Sequence, residues 1–508
     1  MRHLAALVLL GFFGVCTQGA FGDTYAVKFV ASKNPANNGE YRIAEVEASL
    51  TPKDGVVGLF RNHDDVGLLN GWVTFLYSAH AFGADGKELR LTYLTGGRFR
   101  VEGWSSGPVT LKYRVLLQHD RFPNDPGYDE LAYARPYGVF WTGRALLMEG
   151  APATDIDVRF DAPADWTIST PWASADLSGR HFIALTTDDL LDSALMAGTQ
   201  ITKVLQVAGG EARLALAPPI AALENPLVTT LNSSLRAYES MFGVAMKGRL
   251  LVIAADAPFS GGGVMGRSIS MLLGHDRGDM KAQGEYVIAH EAFHVWNGQW
   301  RENDPDGELQ WLGEGSADYY ANLVRVREGL LAEDEFIAEL GHRATLYLNA
   351  LRQRSIAGGG STKLNGGEDS YNIVYSGGML ADLVLDAMLR QRSHGRETLD
   401  EVMRVLHARY AGEGRETATT KDLASLLADR FALPANFLAR YVSGRELLPL
   451  HEAFAAYGLD MRVEDSAGAV TVTVSKSARA SARQKTELRR WLDAPQLPTS
   501  GSTNAPQP

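Results

Sequence analysis

Two histidines and a glutamate in the segment YVIAHEAFHVWN are the residues with the clearest chemical meaning in this sequence. His290 and His294 are four residues apart, so on a helix they lie one turn apart on the same face. Two imidazoles in that arrangement can hold one metal ion, and Zn²⁺ is the usual choice for a nitrogen-rich site. Glu291 follows the first histidine, where a carboxylate can take the proton of a water that attacks a carbonyl group. The segment therefore predicts a hydrolytic zinc site.

The neighbours of this trio argue against a chance occurrence of the pattern. Between Val287 and Trp296 all residues except these three are apolar, which predicts a helix buried on most sides. An unpaired ionisable group in such a place costs on the order of several kcal/mol, and metal ligation offsets that cost. A random H-E-x-x-H in a chain with 12 histidines has odds on the order of a few per cent.

A catalytic zinc site commonly has three protein ligands and one open position. Glu314 in WLGEGSADYY is the best candidate for the third ligand, because 20 residues after His294 leave room for a loop and a returning helix. Asp318 lies four residues later on the same helix face, where it could accept a hydrogen bond from a zinc-bound imidazole and fix its tautomer. The alternative for both acids is an ordinary helix position without a role at the metal.

The chain that must position these residues divides into β-rich, mixed and helical stretches. Residues 23–215 hold short β-rich segments such as TYAVKFVAS and VTLKYRVLL, separated by turn signals. Residues 216–335 combine helical periodicity with the strand-like KGRLLVIAA and a glycine-rich loop, FSGGGVMGRS, and residues 336–460 are mostly amphipathic helix. Residues 461–508 read as a short extension and a disordered tail. The sequence predicts an α+β multidomain protein with an N-terminal β-rich domain and a C-terminal α-helical domain.

The first 22 residues resemble a secretory signal peptide. A basic start precedes an apolar run at residues 4–15, which is too short to span a bilayer comfortably, and small residues offer cleavage near Gly22. The single cysteine, Cys16, lies in this segment, so the cleaved protein would form no disulfide. We expect a secreted or periplasmic bacterial protein with no membrane association after cleavage, and the alternative is an uncleaved anchor.

Composition narrows the class of partner. Of the 508 residues 45% are apolar and 21% are charged, as in ordinary globular proteins, and the formal net charge is −11. A phosphate-binding surface would normally show a basic excess, so nucleic acid is not expected as a partner. The oligomeric state is open.

HEAFHVWN followed by WLGEGSADYYA resembles the glycyl aminopeptidase family of gluzincins, relatives of aminopeptidase N. Further segments are similar as well, including TTDDLLDSALMAG, VYSGGMLADLVLDAMLRQR and YVSGRELLP. The resemblance implies a thermolysin-like catalytic domain, one zinc ion held by His290, His294 and Glu314, and Glu291 as the general base. It also implies that Tyr375, in YSGG, donates a hydrogen bond to the tetrahedral oxyanion.

The sequence departs from the family in the loop before the zinc helix. Family members carry G-G-x-E-H there, and its glutamate is expected to hold the free α-amine of the substrate. The aligned residues are Gly262, Gly263, Val264, Met265 and Gly266. The glycines are kept, so the backbone could still form an edge strand or turn that pairs with a peptide, but the carboxylate is not kept. Asp276, Asp279 and Glu285 lie nearby but match no motif. The family's frequent PDZ domain is not expected, since about 48 residues follow residue 460.

The predicted function is that of an exported zinc metallopeptidase, which acts on a peptide or protein and whose exopeptidase specificity is in doubt. A second hypothesis is a zinc-containing peptide-binding protein with little or no hydrolytic activity. The general base argues against it, because a structural zinc site needs no base and usually closes its fourth position. A third hypothesis is a zinc hydrolase for non-peptide esters or amides.

Overall fold

The structure is a computed structural model that describes residues 22–31, 41–61, 70–121, 131–257, 260–274, 278–298, 309–356, 364, 371–412, 415–466 and 468–493. The predicted signal peptide and disordered tail lie almost wholly outside these residues. The chain divides into two compact units. The first contains residues up to 125, 132–164 and 172–192, and the second contains 126–131, 165–171 and everything from 193 onward.

The first unit is built on a sheet with the strand order β13-β14-β11-β1-β2-β8-β4-β5. Strand alternation forms its core, because Tyr25, Val27 and Phe29 of TYAVKFVA are buried while most of their neighbours along the strand are more exposed. Its strands are β1 (Thr24–Ala31), β2 (Tyr41–Leu50), β3 (Val56–Gly58), β4 (Leu76–Phe82), β5 (Glu88–Leu89), β6 (Leu91–Tyr93), β7 (Arg98–Val101), β8 (Val109–Leu116), β9 (Tyr133–Arg135), β10 (Gly138–Thr142), β11 (Thr154–Asp161), β13 (Ala173–Ser174) and β14 (His181–Thr186), with short helices α1 (Gly143–Leu146) and α2 (Thr187–Leu191).

The second unit holds a mixed sheet with the order β16-β17-β18-β20-β19. The two pairings of β18 are parallel, whereas β19 pairs antiparallel with β20 and forms the edge of the described sheet. Its strands are β12 (Thr167–Ser169), β15 (Ala194–Gly198), β16 (Ile201–Val207), β17 (Gly210–Leu216), β18 (Gly248–Asp256), β19 (Gly261–Met265) and β20 (Ser268–Leu273).

Helices cover the remainder of the second unit, and three of them form its centre. Tyr238 of α3 donates to the carbonyl of Ala289 in α4 at 2.9 Å, and Phe293 of α4 stacks on Tyr320 of α5 at 4.9 Å. The helices are α3 (Glu224–Phe242), α4 (Met280–Asn297), α5 (Gln310–Arg327), α6 (Glu333–Ile356), α7 (Gly378–Ser393), α8 (Leu399–Tyr410), α9 (Thr420–Ser425), α10 (Leu450–Ala456) and α11 (Ala482–Leu492), with π-helical turns at Ile373–Gly377, Leu426–Arg430 and Leu438–Val442 and a hairpin of β21 (Leu459–Ser466) and β22 (Ala469–Lys476).

The predicted fold class is confirmed: a β-rich N-terminal part precedes a mixed centre and a helical C-terminal part. One local interpretation is now more definite. The glycine-rich segment expected as a loop contains the strand β19, because its backbone pairs with Ser268–Leu273 from Gly261 to Met265. In the described part of the chain, no helix has the length and apolarity needed to cross a membrane.

Candidate active site

Two helices bring the three predicted zinc ligands together. His290 and His294 lie on α4, which begins at an N-cap where Asp279 accepts a hydrogen bond from the Lys281 amide. Glu314 lies on the first turns of α5, and its carboxylate is 3.4 Å from Nε2 of each histidine. The two Nε2 atoms are 3.3 Å apart.

These separations fit a zinc ion. In a tetrahedral site with bonds of about 2.0–2.1 Å, neighbouring ligand atoms are about 3.3–3.4 Å apart. Burial lowers the pKa of His290, but hydrogen bonds to Asp318 and Glu314 outweigh it and raise the pKa well above its usual value. The carboxylates therefore favour a positive charge at this point, and a divalent cation supplies one in place of the proton.

Asp318 orients the first histidine and is itself held by two partly buried groups. Its Oδ1 lies 2.8 Å from Nδ1 of His290, which directs Nε2 toward the other ligand atoms. Its Oδ2 accepts from Arg343 of α6 at 2.7 Å, and Tyr286, which also accepts from Arg343, donates to Oδ1. Burial raises the pKa of Asp318, but Arg343 and His290 outweigh this effect and hold the pKa below its usual value. The carboxylate is therefore ionised where the histidine needs a partner.

The second histidine is oriented by an amide. His294 Nδ1 lies 2.8 Å from Oδ1 of Asn297, which fixes this nitrogen as the donor and leaves Nε2 as the nitrogen that would bind a metal. Asn297 also donates to the carbonyl of Gly313 at 2.9 Å. This side chain thus ties the end of α4 to the first turn of α5, next to Glu314.

The edge strand β19 passes very close to Glu291. A Cβ atom built on Gly262 would lie 2.9 Å from Cγ1 of Val287 and 3.0 Å from Oε1 of Glu291, which is closer than a side chain tolerates. Gly262, Gly263 and Val264 all line a cavity of about 1660 Å³, and Glu291 lines the same cavity. The predicted base and the predicted peptide-pairing strand therefore share one wall.

Tyr375 lies in the π-helical turn that precedes α7. Its ring is 5.9 Å from the ring of His290 and stacks on Tyr371 at 4.2 Å. Burial and the nearby Glu314 raise the pKa of Tyr375 above its usual value, so the phenol keeps its proton. A close helix crossing sets its position, because a Cβ on Gly315 of α5 would lie 2.3 Å from a backbone carbon of Gly378.

Sequence reasoning missed three residues of the site. Tyr286 precedes His290 by four residues and Asn297 follows His294 by three, so their helix faces were a signal that could have found both. Arg343 comes from a helix distant in sequence and left no such signal.

The other acids considered near the glycine run have local partners or are not described. Asp279 caps α4 and lines the cavity, and the buried Glu285 forms an ion pair with the exposed Lys281 at 2.6 Å. Asp276 lies outside the described residues. Met265 is buried, 6% exposed, and is not among the residues that line the cavity.

The α+β fold and this group of side chains define a peptidase, and comparison with known proteins confirms that class. A family model of the M61 peptidase N-terminal domain matches residues 68–199, and the M61 glycyl aminopeptidase model matches residues 285–357. The second match contains His290, His294 and Glu314 and ends before Tyr375. The predicted resemblance is therefore confirmed. No curated protein matches the chain.

Solved structures share the fold at low identity. An aminopeptidase N family protein from Idiomarina loihiensis is 17% identical with a TM-score of 0.71, over 87% of this chain and 79% of that one. An M1 zinc metallopeptidase from Deinococcus radiodurans is 16% identical with a TM-score of 0.51, over 85% of this chain and 94% of that one. A mutant of that enzyme bound to a Tyr-Ser-Ala substrate is 15% identical with a TM-score of 0.51, over 85% of this chain and 95% of that one.

Proposed function

We propose that this protein is a zinc metallopeptidase that hydrolyses peptide bonds with Glu291 as the general base. The observation that carries the proposal is the convergence of three ligand atoms, from His290, His294 and Glu314, within 4.8 Å of one another. They lie beside Glu291 in a cavity large enough for several peptide residues. The solved M1 relative with a bound tripeptide supports a peptide as the substrate.

Each side chain of the site has a separate role in hydrolysis. When bound, Zn²⁺ acts as a Lewis acid that polarises a carbonyl group and lowers the pKa of a coordinated water. Glu291 takes the proton of the attacking water and delivers it to the leaving amine. Tyr375, which stays protonated, donates a hydrogen bond where negative charge develops on the carbonyl oxygen. Asp318 and Asn297 hold the two imidazoles in the tautomer that presents Nε2.

The edge strand supplies the site for the substrate backbone. Gly262, Gly263 and Val264 line the cavity, and the side of β19 away from β20 pairs with no other described strand, so an extended peptide can add to this edge by main-chain hydrogen bonds. Met265 stands where relatives carry the amine-binding acid, and its buried side chain cannot hold an ammonium group. We therefore propose a peptidase that does not depend on a free α-amine at this position.

The cellular setting and the domain limits are also proposals. The predicted signal peptide supports export to the periplasm or the medium, with cleavage near Gly22. We propose that residues 216–335 form the zinc-binding catalytic domain, between the β-rich domain at 23–215 and the helical domain at 336–460. A short extension and tail follow at 461–508.

The test uses zinc content and turnover of the purified protein together. Wild type, Glu291→Gln and a control, Glu464→Gln on the exposed face of β21, are loaded with zinc and assayed on aminoacyl reporters and on blocked, internally quenched peptides. We expect one bound zinc in all three proteins and loss of turnover, by roughly 10²-fold or more, in Glu291→Gln alone.

Two results would decide against parts of this proposal. If Glu291→Gln turned over substrate as fast as wild type, Glu291 would be excluded as the general base. If zinc-loaded wild type cleaved nothing in a broad panel of peptides, a peptide-binding protein would be favoured. Cleavage of only the blocked peptides would assign an endopeptidase.

A further inference from the structure

One face of α5 lines the cavity far beyond the predicted zinc site. Glu314, Asp318, Asn322 and Arg325 follow one another at helical spacing, and all four line the same cavity. With a rise of 1.5 Å per residue, the backbone of Arg325 lies about 16 Å from that of Glu314 along the helix. This row of four side chains therefore runs along the cavity from the predicted zinc site to the cation Arg325 at its far end.

Arg325 is buried and has no charged partner among the residues that the structure describes. The residue is 5% exposed, and among the described residues its guanidinium makes one hydrogen bond, a long contact of 3.5 Å to the neutral amide oxygen of Asn322. Its Nε is buried with no partner. Arg343, on the same cavity, contrasts with it, since Arg343 bonds Asp318 at 2.7 Å and Glu339 at 2.6 Å.

The acids around Arg325 are engaged elsewhere. Glu285 pairs with Lys281 at 2.6 Å, Glu339 pairs with Arg343, and Glu335 accepts from the amide of Ala332 at 2.9 Å. Burial lowers the pKa of Arg325, and the opposing effect of these carboxylates and of Tyr286 does not restore its usual value. A buried cation in this condition gains free energy from an anion that enters the cavity.

We propose that Arg325 binds a carboxylate of the peptide substrate at the end of the cavity remote from Glu314. The inference rests on the proposed function, because it takes the ligand to be a peptide. A guanidinium matches a carboxylate with two parallel hydrogen bonds, and partial burial strengthens them. An extended peptide rises about 3.3 Å per residue, so the anion lies roughly five residues or fewer from the scissile bond. It belongs either to the chain terminus or to an acidic side chain.

The binding test uses the full mature protein, loaded with zinc and carrying Glu291→Gln so that peptides survive. Fluorescence anisotropy compares labelled peptides that differ in one group: free carboxylate against amide at the C-terminus, and Glu against Gln at each position along the peptide. We expect one carboxylate to tighten binding by about tenfold or more, as for a hydrogen bond between charged groups. The two arms distinguish a terminal from a side-chain carboxylate.

Substitution assigns the preference to one residue. Arg325→Met, added to Glu291→Gln, should reduce the carboxylate preference to about twofold or less, and Arg325→Lys should keep part of it. Arg352→Met is the matched control, because this arginine of α6 is paired with Asp465 at 2.7 Å outside the cavity. It should keep the full preference.

Stability separates a binding role from a structural one. Because no described residue pairs with Arg325 by charge, Arg325→Met should leave the thermal midpoint unchanged or raise it. A midpoint lowered by about 5 °C or more would mean that Arg325 supports the fold, and it would overturn the proposal. Equal binding of all carboxylate and neutral pairs by the protein that retains Arg325 would overturn it too. Because anisotropy needs no turnover, failure of the peptidase assignment leaves this comparison intact.

Discussion

Asp318→Asn is the most informative change near the predicted zinc site, because it removes one charge and almost no volume. In the structure this carboxylate holds Nδ1 of His290 at 2.8 Å and the guanidinium of Arg343 at 2.7 Å. Loss of an anionic partner behind a metal-binding imidazole typically costs 10–100-fold in metal affinity. That is about 1.4–2.8 kcal/mol of zinc binding.

The same substitution also removes one of the two anionic partners of Arg343. Breaking a buried ion pair by removal of one partner costs about 3–5 kcal/mol of folding stability. Arg343 keeps Glu339 at 2.6 Å, so we expect the low end of that range, about 3 kcal/mol. A double variant with Arg343→Met should regain part of the stability and none of the zinc affinity, since Met supplies no negative charge to His290.

Zinc affinity is measured by competition with a chromogenic chelator, and stability by urea unfolding of the zinc-free protein. Asp465→Asn, at an exposed ion pair with Arg352, is the control and should change neither quantity by much. Asp318 also raises the pKa of the metal-free His290, so its loss reduces competition by protons. The affinity deficit should therefore be smaller at pH 6 than at pH 8. Zinc affinity within threefold of wild type at pH 8 would refute this account of Asp318.

Three further predictions test other contacts. Tyr375→Phe should keep zinc and lower kcat by roughly 10²–10³-fold, as loss of one oxyanion donor does, and unchanged kcat would exclude that role. Gly315→Ala should cost about 1–3 kcal/mol or more in urea unfolding, because the added Cβ meets the Gly378 backbone at 2.3 Å. Burial lowers the pKa of His119 to about 3, so the unfolded chain binds more protons below pH 6.5. The contribution of His119 to stability should then fall by up to about 1.4 kcal/mol per pH unit from 6.5 toward 3, so the pH dependence should be shallower in His119→Gln.

The sequence predicted the zinc helix because its ionisable residues interrupt an apolar run, a signal that needs no tertiary information. Glu314 was predictable from the sequence for the same reason, because it is a polar residue in a weakly polar helix. Arg343 was not, because its contact with Asp318 depends on how α6 crosses α5. The sequence left β19 open between a loop and an edge strand. Three consecutive glycines have low strand propensity, and only pairing with the apolar β20 gives this segment its structure.

Charge along the cavity wall bears on the kind of substrate that fits. On β19 the residues are Gly261–Met265, and none of them carries a carboxylate. On α5, about 16 Å beyond Glu314, the wall ends in the buried cation Arg325. A free α-amine therefore gains little from the strand, whereas an anion gains from the helix. In this proposal the cavity favours substrates with a negative group near Arg325, rather than substrates with a free α-amine near β19.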